Sequence, residues 1–483
     1  MTMELPLIKP AALEKKVPEL FERLLGRPYP FLFDSSLLVK GLGRYAIMSS
    51  DPFLVMRSRG TRIRLEWGER TETITGHPLD VLKELLGRYR LAPAACPLPF
   101  AGGAAGYFSY DLGRMLERLP SWAEDDLHTP DLCLGFYDRA VVVDAVDGSV
   151  RLVSTGFPET EAGAARRRAS ERLEELQALL VENRGRETVP AGGITVRSHA
   201  LSSHFDRESY CRAVQRVREY IAAGDIFQVN LSQRFSLPRI VEPWLLYRRL
   251  REISPAPMAA FLDCGDIQVV SSSMERFLQV TGGRAETRPI KGTRPRGRDA
   301  REDARLRDEL WHSEKDRAEL VMIVDMERND LGRVCRTGSV HVPELYRLEE
   351  YATVFHLVAT VTGELPAEKD AVDLLRAAFP GGSISGAPKI RAMEIIEELE
   401  PVRRGIYTGS IGYIGFDGNA DLNIVIRTLI FKNGQIHFQV GGGITIDSDP
   451  YREYLETLDK ARAMIKALGL AERGEISCTA RFV

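Results

Sequence analysis

Short apolar runs alternate with glycine- and proline-containing turns over the first third of the chain, a pattern typical of a mixed α/β region. The apolar residues 140–143 predict a strand. A helix is predicted by apolar residues at helical spacing, namely Leu79, Leu82, Leu85, Leu86 and Tyr89. We assign residues 11–156 to this N-terminal region.

The next segment has a different pattern, because residues 159–183 are rich in Ala, Arg, Glu and Leu. Its apolar positions predict an amphipathic surface helix and are Leu173, Leu176, Leu179 and Leu180. Gly185 and Pro190 then break the chain. Residues 157–200 are therefore interpreted as a helical linker.

Helices and strands alternate again through residues 201–470. Asp206 is a candidate N-cap for a helix that ends near Gly224. Strands are predicted at residues 227–235, 269–270, 411–414 and 436–440, and a helix at residues 390–398. This third region is the candidate catalytic region.

Composition excludes several classes of protein. The net charge of −3 over 483 residues, without a basic block, argues against nucleic acid as a partner. The six cysteines are far apart and form no C-x-x-C pair, so we expect reduced thiols rather than a zinc site or disulfides. No apolar run reaches the roughly 18 residues of a membrane helix, and the N-terminus does not resemble a signal peptide. We expect a cytoplasmic protein without membrane contact.

Candidate chemistry begins at residues 288–294, which read Arg-Pro-Ile-Lys-Gly-Thr-Arg. A nearby cation and an apolar wall both disfavour the charged amine, so Lys291 is expected to have a lowered pKa and to act as a nucleophile. Gly292 leaves the backbone open to a substrate. The alternative is a turn in which Lys291 points to water.

Two acidic pairs have a spacing of three residues, which places both carboxylates on one side of a helix. They are Asp316 with Glu319, and Glu453 with Glu456. If the two helices face each other, the carboxylates form an all-oxygen site that suits Mg²⁺. The alternative for each pair is an ordinary solvated helix surface.

Further candidates stand near glycine-rich segments and strand ends. The small residues 381–387 precede a helix whose start could bind an anion, and Gly441–Gly443 are read as the end of a strand or as a bulge. Glu275 follows a predicted strand and is a candidate general acid. His356, between Phe355 and Leu357, is either a site residue or a hydrogen-bonded core residue.

Taken in order, these segments resemble the chorismate-utilising enzymes, which include anthranilate synthases, aminodeoxychorismate synthases, isochorismate synthases and salicylate synthases. The resembling segments are residues 225–232, 289–296, 323–330, 383–389, 407–409 and 441–460. The resemblance is weaker towards the N-terminus, at residues 41–45 and 102–108.

Two positions indicate a branch of this family. Gln228 stands where water-adding members carry a lysine base, so the resemblance disfavours isochorismate or salicylate formation. Residues 289–293 read Pro-Ile-Lys-Gly-Thr, as in the aminodeoxychorismate synthases, whereas anthranilate synthases have alanine in place of Lys291. The resemblance thus implies amination of chorismate at C4 for the synthesis of 4-aminobenzoate and folate. The alternatives are anthranilate synthase component I and, more remotely, a non-catalytic anion-binding subunit.

The resemblance also implies an architecture and a site. The fold would consist of two β-sheets packed face to face with helices outside. Lys291 would form a covalent adduct, Glu275 would act as the acid and His356 would lie near the substrate ring. Mg²⁺ would be held by the metal ligands Glu319 and Glu456, with Asp316 and Glu453 in support. The implied substrate-binding residues are Gln228, Thr293, Tyr407, Arg427, Gly441, Gly442, Gly443 and Lys460.

Two further expectations concern other ligands and partners. No cysteine lies in the Gly-x-Cys-x-Gly turn of a glutaminase, so a separate glutamine amidotransferase subunit is expected to supply ammonia, and another enzyme to eliminate pyruvate. Asp34, Ser35 and Pro255 match part of a tryptophan pocket in relatives.

Overall fold

A computed structural model describes residues 5–12, 16–39, 41–92, 96–181, 201–351 and 354–470. The helices in this part of the chain are α1 (Val17–Phe21), α2 (Pro78–Arg88), α3 (Ala162–Val181), α4 (Arg207–Ala222), α5 (Pro243–Ile253), α6 (Ala300–Trp311), α7 (Glu314–Gly332), α8 (Ala371–Ala378), α9 (Lys389–Leu399) and α10 (Pro450–Ala467). None of them is both long and apolar enough to cross a membrane.

The strands fall into two groups along the chain. Those before α4 are β1 (Leu7–Ala11), β2 (Phe31–Asp34), β3 (Tyr45–Ser49), β4 (Leu54–Arg59), β5 (Arg62–Trp67), β6 (Arg70–Thr75), β7 (Gly103–Phe108), β8 (Leu132–Tyr137), β9 (Arg139–Asp144), β10 (Val150–Ser154) and β11 (Ser202–Ser203). Those after it are β12 (Gln228–Pro238), β13 (Met258–Asp263), β14 (Gln268–Ser273), β15 (Arg276–Thr281), β16 (Arg284–Thr287), β17 (Ile290–Pro295), β18 (His341–Glu350), β19 (Val354–Glu364), β20 (Gly386–Ala387), β21 (Ser410–Gly415), β22 (Ala420–Asn423), β23 (Thr428–Lys432) and β24 (Gln435–Ile444).

These strands build two antiparallel sheets of twelve strands each within the described residues. The first sheet has the order β1-β10-β9-β3-β2-β13-β14-β23-β24-β12-β11, and β20 also pairs with β12. The second has the order β17-β19-β16-β15-β22-β21-β7-β8-β4-β5-β6, and β18 also pairs with β19. Strands from both sides of residues 157–200 therefore share each sheet, through the pairs β2–β13 and β7–β21.

The main core lies between the two sheets. One continuous apolar cluster includes Phe31 and Val269 from the first sheet and Met56 and Leu134 from the second. A second cluster packs α1, α3, α5 and α10 against the outer side of the first sheet. The expected architecture of facing sheets with helices outside is confirmed, and each fully buried large apolar side chain contributes about 1.5–3 kcal/mol to it.

Most predicted elements are observed with small shifts at their ends. The predicted linker helix is α3, and Gly185 and Pro190 lie outside the described residues. Asp206 caps α4 by accepting a hydrogen bond from the Ser209 N–H. The prediction that Gly441–Gly443 end a strand is confirmed, because β24 ends at Ile444, and the alternative of a bulge is not observed, because these glycines pair in register with β12.

Candidate active site

A β-bulge sets the position of Lys291 on β17, at the edge of the second sheet. Lys291 lies opposite Leu357 and Thr293 opposite His356, so Gly292 is the extra residue. Its φ of +74° favours glycine, and a Cβ there would lie 2.7 Å from the Leu310 side chain. The bulge thus needs glycine both for conformation and for space.

The Lys291 amine is half-buried and donates a hydrogen bond to the Ser383 carbonyl at 3.2 Å. Burial lowers the pKa of Lys291, while the negative fields of Glu319, Glu275 and Glu456 oppose that shift. A lowered pKa increases the neutral, nucleophilic fraction of the amine. The expected direction is confirmed, and the alternative of a lysine that points freely to water is not observed.

Of the two causes inferred from sequence for the lowered pKa of Lys291, burial is observed, but the cation is not an adjacent arginine. The flanking Arg288 is bound to Glu349, and Arg294 is bound to Glu309 and Asp316. Lys460 is the cation whose field adds to the lowering of the Lys291 pKa. Because both flanking arginines are paired with carboxylates, burial is the main cause of the lowered pKa of Lys291.

Glu275 lies in the turn between β14 and β15 and is 6% exposed. Its carboxylate accepts hydrogen bonds from the Ser383 hydroxyl at 2.6 Å and from the Ile290 backbone N–H. Burial raises the pKa of Glu275, although Ser383 and Lys291 partly offset the effect. A carboxyl that retains its proton more readily thus lies beside an amine that loses one more readily.

Ser383 joins these two groups and was not singled out as a site residue by the sequence analysis. Its hydroxyl contacts the acid and its carbonyl contacts the amine. The residue lies in a 3-10 turn, Gly382–Ile384, inside the glycine-rich segment before α9. That segment was noticed as a possible anion site, but a role of its backbone carbonyl towards Lys291 cannot be read from residue types.

The acidic pairs lie on α7 and α10, as predicted. Burial raises the pKa of Glu319, and the negative charge of Glu456 adds to that rise. Both carboxylates also raise the pKa of Lys291. Lys460 lies 2.7 Å from Glu456 and holds the pKa of that carboxyl below its usual value. The two helices therefore bring one carboxylate each towards the Lys291 amine.

The supporting carboxylates have partners of their own. Asp316 pairs with Arg294 at 3.1 Å, and Glu453 accepts a hydrogen bond from the Ser448 hydroxyl at 2.6 Å. Within the described residues, no group of three or more His, Cys, Asp or Glu side chains could hold a metal ion by itself. The structure does not gather all four carboxylates into one cage.

A two-carboxylate arrangement nevertheless fits Mg²⁺, which commonly keeps several waters and shares oxygens with an anionic substrate. A Cβ on Gly442 would lie 3.3 Å from a Glu453 oxygen, 3.4 Å from a Glu456 oxygen and 3.5 Å from the Lys460 amine. The missing side chain thus lets two carboxylates and one ammonium converge at this strand. The donor chemistry and this cradle are compatible with the ion.

The remaining two glycines of β24 lie against β12. A Cβ on Gly443 would overlap the Gln228 amide nitrogen, and one on Gly441 would lie 2.8 Å from the Asn230 amide oxygen. Glycine is therefore retained inside this strand because the Gln228 and Asn230 side chains and the Leu231 carbonyl of β12 occupy the space. Gln228 lies next to the candidate site and is fully buried.

Two basic residues, Arg427 and Lys460, lie together at α10. Arg427, in the left-handed region with a φ of +52°, donates to the Lys460 carbonyl, and the Lys460 amine donates to the Gly441 carbonyl at 2.8 Å. Burial lowers the pKa of Arg427, while Tyr407 and Glu456 raise it. Arg427 and Lys460 thus place two positive charges near Tyr407 and Glu456.

His356 is buried and lies 3.0 Å from the Thr293 hydroxyl. Burial and the charge of Arg427 lower the pKa of His356 to about 4. The ring also meets Tyr351 edge-on, with centroids 5.0 Å apart. His356 is therefore a neutral, hydrogen-bonded core residue. It remains a candidate site residue because it lies near Arg427.

A separate cavity of about 900 Å³ is lined by residues of the predicted tryptophan pocket. Asp34 and Ser35 line it as predicted, whereas Pro255 does not, and Pro257 lines it instead. The Asp34 carboxylate is bound by Tyr247 at 2.8 Å. Lys291 does not line this cavity, so it is distinct from the candidate active site.

Comparisons with known proteins identify relatives of this chain. A family model for chorismate binding enzymes matches residues 51–466. The chain is 42% identical over 449 residues to aminodeoxychorismate synthase component 1 of Klebsiella aerogenes, covering 93% of this chain and 95% of the relative. It is 46% identical over 411 residues to anthranilate synthase component 1 of Thermus thermophilus, covering 84% and 85%. Among solved structures, anthranilate synthase component I of Streptococcus pneumoniae superposes with a TM-score of 0.75 at 33% identity, covering 87% of this chain and 92% of that chain.

Proposed function

The chain belongs to the family of chorismate binding enzymes, and on this premise we propose that it aminates chorismate at C4 to give 4-amino-4-deoxychorismate. The observation that carries the proposal is the arrangement of Lys291, Ser383 and Glu275. A nucleophile with a lowered pKa and an acid with a raised pKa share one serine. Such a pair can attack one ring position while it protonates a leaving group at another.

In the first step the lone pair of the Lys291 nitrogen forms a bond to C2 of the ring. The two ring double bonds shift away from C2, the C4–oxygen bond breaks, and Glu275 gives its proton to the departing hydroxyl, which leaves as water. Ammonia then forms a bond to C4, the double bonds return, and the bond to Lys291 breaks. The covalent stage divides one difficult substitution into two easier ones.

The residues around this centre suit an anionic substrate. Arg427 and Lys460 provide positive charge, and Tyr407, Thr293 and the backbone of Gly441–Gly443 provide hydrogen bonds. We assign Gln228 to the same surface. Its amide cannot deprotonate water, so we do not expect water to be added to chorismate. We place His356 near the ring as a neutral group.

We propose that Glu319 and Glu456 hold Mg²⁺, with Asp316 and Glu453 in support. The ion, when bound, supplies positive charge for the ring carboxylate of chorismate. These side chains have a second effect, since the fields of Glu319 and Glu456 keep the pKa of Lys291 from falling further. We infer that the carboxylates both orient the substrate and adjust the nucleophile.

Ammonia is expected from a separate glutamine amidotransferase subunit. The relatives named component 1 imply a second component, and none of the cysteines has the sequence context of a glutaminase nucleophile. The purified chain should therefore use free ammonia, and added glutamine should support the reaction only when an amidotransferase partner is present.

Anthranilate synthesis is the second candidate, because the Thermus thermophilus relative is 46% identical. The two reactions give different products from chorismate, ammonia and Mg²⁺. We expect a non-aromatic amino compound that becomes aromatic only when a lyase is added. Formation of anthranilate and pyruvate by the chain alone would replace our proposal with this second one.

The direct test is mass spectrometry of the intact protein during turnover, followed by peptide mapping. We expect a chorismate-derived adduct on Lys291 that is absent from Lys291→Ala, and a loss of C4 amination in that variant. Lys432→Ala is the control, since Lys432 is a lysine removed from solvent that pairs with Asp266 and lies on β23 of the first sheet. Unchanged product and rate in Lys291→Ala would exclude covalent catalysis by this residue.

A further inference from the structure

We propose that Arg404, held by Glu400, is a positioning residue that fixes three segments of the active site relative to one another. The proposal rests on the function proposed above and adds a residue that contacts none of the reacting groups. Both side chains are buried, with 3% and 2% exposure. They lie in the connection between α9 and β21, before the family-like segment 407–409.

All five N–H donors of the Arg404 guanidinium are used. Nε and one Nη2 hydrogen bind the two Glu400 oxygens at 2.9 and 2.7 Å. Nη2 also donates to the Asn230 carbonyl at 2.6 Å, and Nη1 donates to the Ile384 carbonyl at 2.9 Å and to the Thr408 hydroxyl at 3.2 Å. One planar group therefore links segments that are distant in sequence.

Each acceptor is next to a group of the active site. Ile384 follows Ser383, the residue that contacts both the acid and the nucleophile. Asn230 lies opposite Gly443 in the β12–β24 register. Thr408 follows Tyr407 and has a φ of +58°, so its backbone is held in an uncommon conformation beside the phenol.

Glu400 extends the connection into the first sheet. Its Oε1 accepts hydrogen bonds from the Ser232 backbone N–H at 2.9 Å and from the Ser232 hydroxyl at 2.7 Å. The Gln439 amide reaches the same serine hydroxyl at 2.8 Å. Ser232 is paired with Gly441, so the ion pair also fixes β12 against the glycine segment of β24.

The chemistry of this pair indicates positioning rather than stability alone. A buried ion pair carries a desolvation cost, and apolar residues of similar volume often stabilise a core equally well. A guanidinium, however, can hold a carboxylate through two bonds and donate to backbone carbonyls in the same plane, which a lysine ammonium cannot do. The side chain is suited to fixing the directions of several backbone groups together.

The test compares Arg404→Lys with Arg139→Lys. Arg139 is a fully buried arginine of β9, in the first sheet rather than the second sheet that carries Lys291, and is paired with Asp51 at 3.0 Å and Glu175 at 2.9 Å. Both variants should lower the melting temperature. Only Arg404→Lys should slow the formation of the Lys291 adduct and lower kcat, each by about 10- to 100-fold. This range is expected when reacting groups are misplaced by about 1 Å.

A second measurement separates positioning from folding. Guanidinium ion at millimolar, non-denaturing concentrations should restore part of kcat to Arg404→Ala and should not change Arg139→Ala. Wild-type rates in Arg404→Lys, or equal losses of kcat in the two lysine variants at equal melting temperature, would overturn the inference. Absence of chorismate turnover by the wild-type chain would instead contradict the proposed function.

Discussion

The charge of the Lys291 amine is set by residues that are remote from it in sequence. Burial lowers its pKa, and the carboxylates of Glu319, Glu275 and Glu456 limit that decrease. Sequence reasoning identified the lysine and the direction of the shift from the adjacent residues. It could not identify Ser383 or Lys460 as the neighbours of the amine, because their proximity is produced by folding.

A first prediction concerns the reactivity of this amine. The rate of Lys291 modification by an amine-reactive reagent, followed by peptide mass spectrometry, should have its midpoint below pH 10.5, the ordinary lysine value. Glu275→Gln should lower the midpoint further, because the negative field that raises the pKa of Lys291 is removed. Glu397→Gln, a buried glutamate bound to Arg114, is the control and should leave it unchanged. A midpoint that rises in Glu275→Gln would contradict the assigned electrostatics.

A second prediction concerns His437, which is 5% exposed and lies 2.8 Å from the Ser236 hydroxyl. Burial and the charge of Arg234 lower the pKa of His437 from 6.5 to about 4. The neutral form is favoured in the folded state, so its stabilisation is present above pH 6.5 and is lost as the pH falls towards 4. Between pH 7 and pH 5 this histidine should reduce the free energy of unfolding by about 2 kcal/mol.

Urea unfolding at both pH values measures this effect. His437→Gln can keep a hydrogen bond to Ser236. Between pH 7 and pH 5, its free energy of unfolding should fall by about 2 kcal/mol less than that of the wild type. The exposed His312 is the control, and His312→Gln should follow the wild-type dependence. Equal pH dependence in the wild type and His437→Gln would contradict the lowered pKa.

At the scale of elements, helices and strands were predicted well where their signals are local. The Asp206 cap and the two acidic helices required only neighbouring residues. The end of β24 at Gly441–Gly443 was predicted, although glycine weakens most strands. The reason why glycine is retained there could not be predicted, because the space is occupied by Gln228, Asn230 and the Leu231 carbonyl, which lie more than 200 positions earlier.

The bulge in β17 gives a prediction about one element. Gly292→Ala should destabilise the fold by at least about 1 kcal/mol more than Gly283→Ala. Both glycines have positive φ, but a Cβ at Gly292 meets Leu310 and lies 2.9 Å from Asp316 atoms, whereas one at Gly283 meets nothing within 4 Å. Relief of the contact must move α6 or α7, so kcat should also fall by more than about tenfold.

Chemical unfolding and steady-state kinetics test this pair of variants together. Gly283→Ala should show only the modest cost of an unfavourable φ and should retain kcat. Equal losses of stability and activity in both variants would mean that the space beside Gly292 is not what positions Lys291.

At the scale of the whole molecule, the two regions predicted from sequence periodicity do not form separate sheets. Residues 11–156 and 201–470 have separate periodicities, yet each sheet contains strands from both. The pair Ala260 and Phe33 joins positions more than 200 residues apart in the chain. Such long-range pairing leaves no local signal, which is why the sequence alone predicted two regions and the family resemblance was needed to predict two facing sheets.

This shared architecture predicts how the chain responds to division. Fragments 1–181 and 201–483 should each be insoluble or aggregated when expressed alone, because β2, β7, β13 and β21 would expose unpaired sheet edges and the apolar surfaces of the common core. Co-expression should give a 1:1 complex by size-exclusion chromatography with chorismate-dependent activity, since no strand pair of the described residues needs the covalent connection. A full-length chain cleaved at a protease site introduced within residues 182–200 is the control and should remain assembled and active. A monomeric, active fragment 201–483 would show that the catalytic region folds by itself, and the two sheets would then be a docking arrangement of separate domains rather than one cooperative unit.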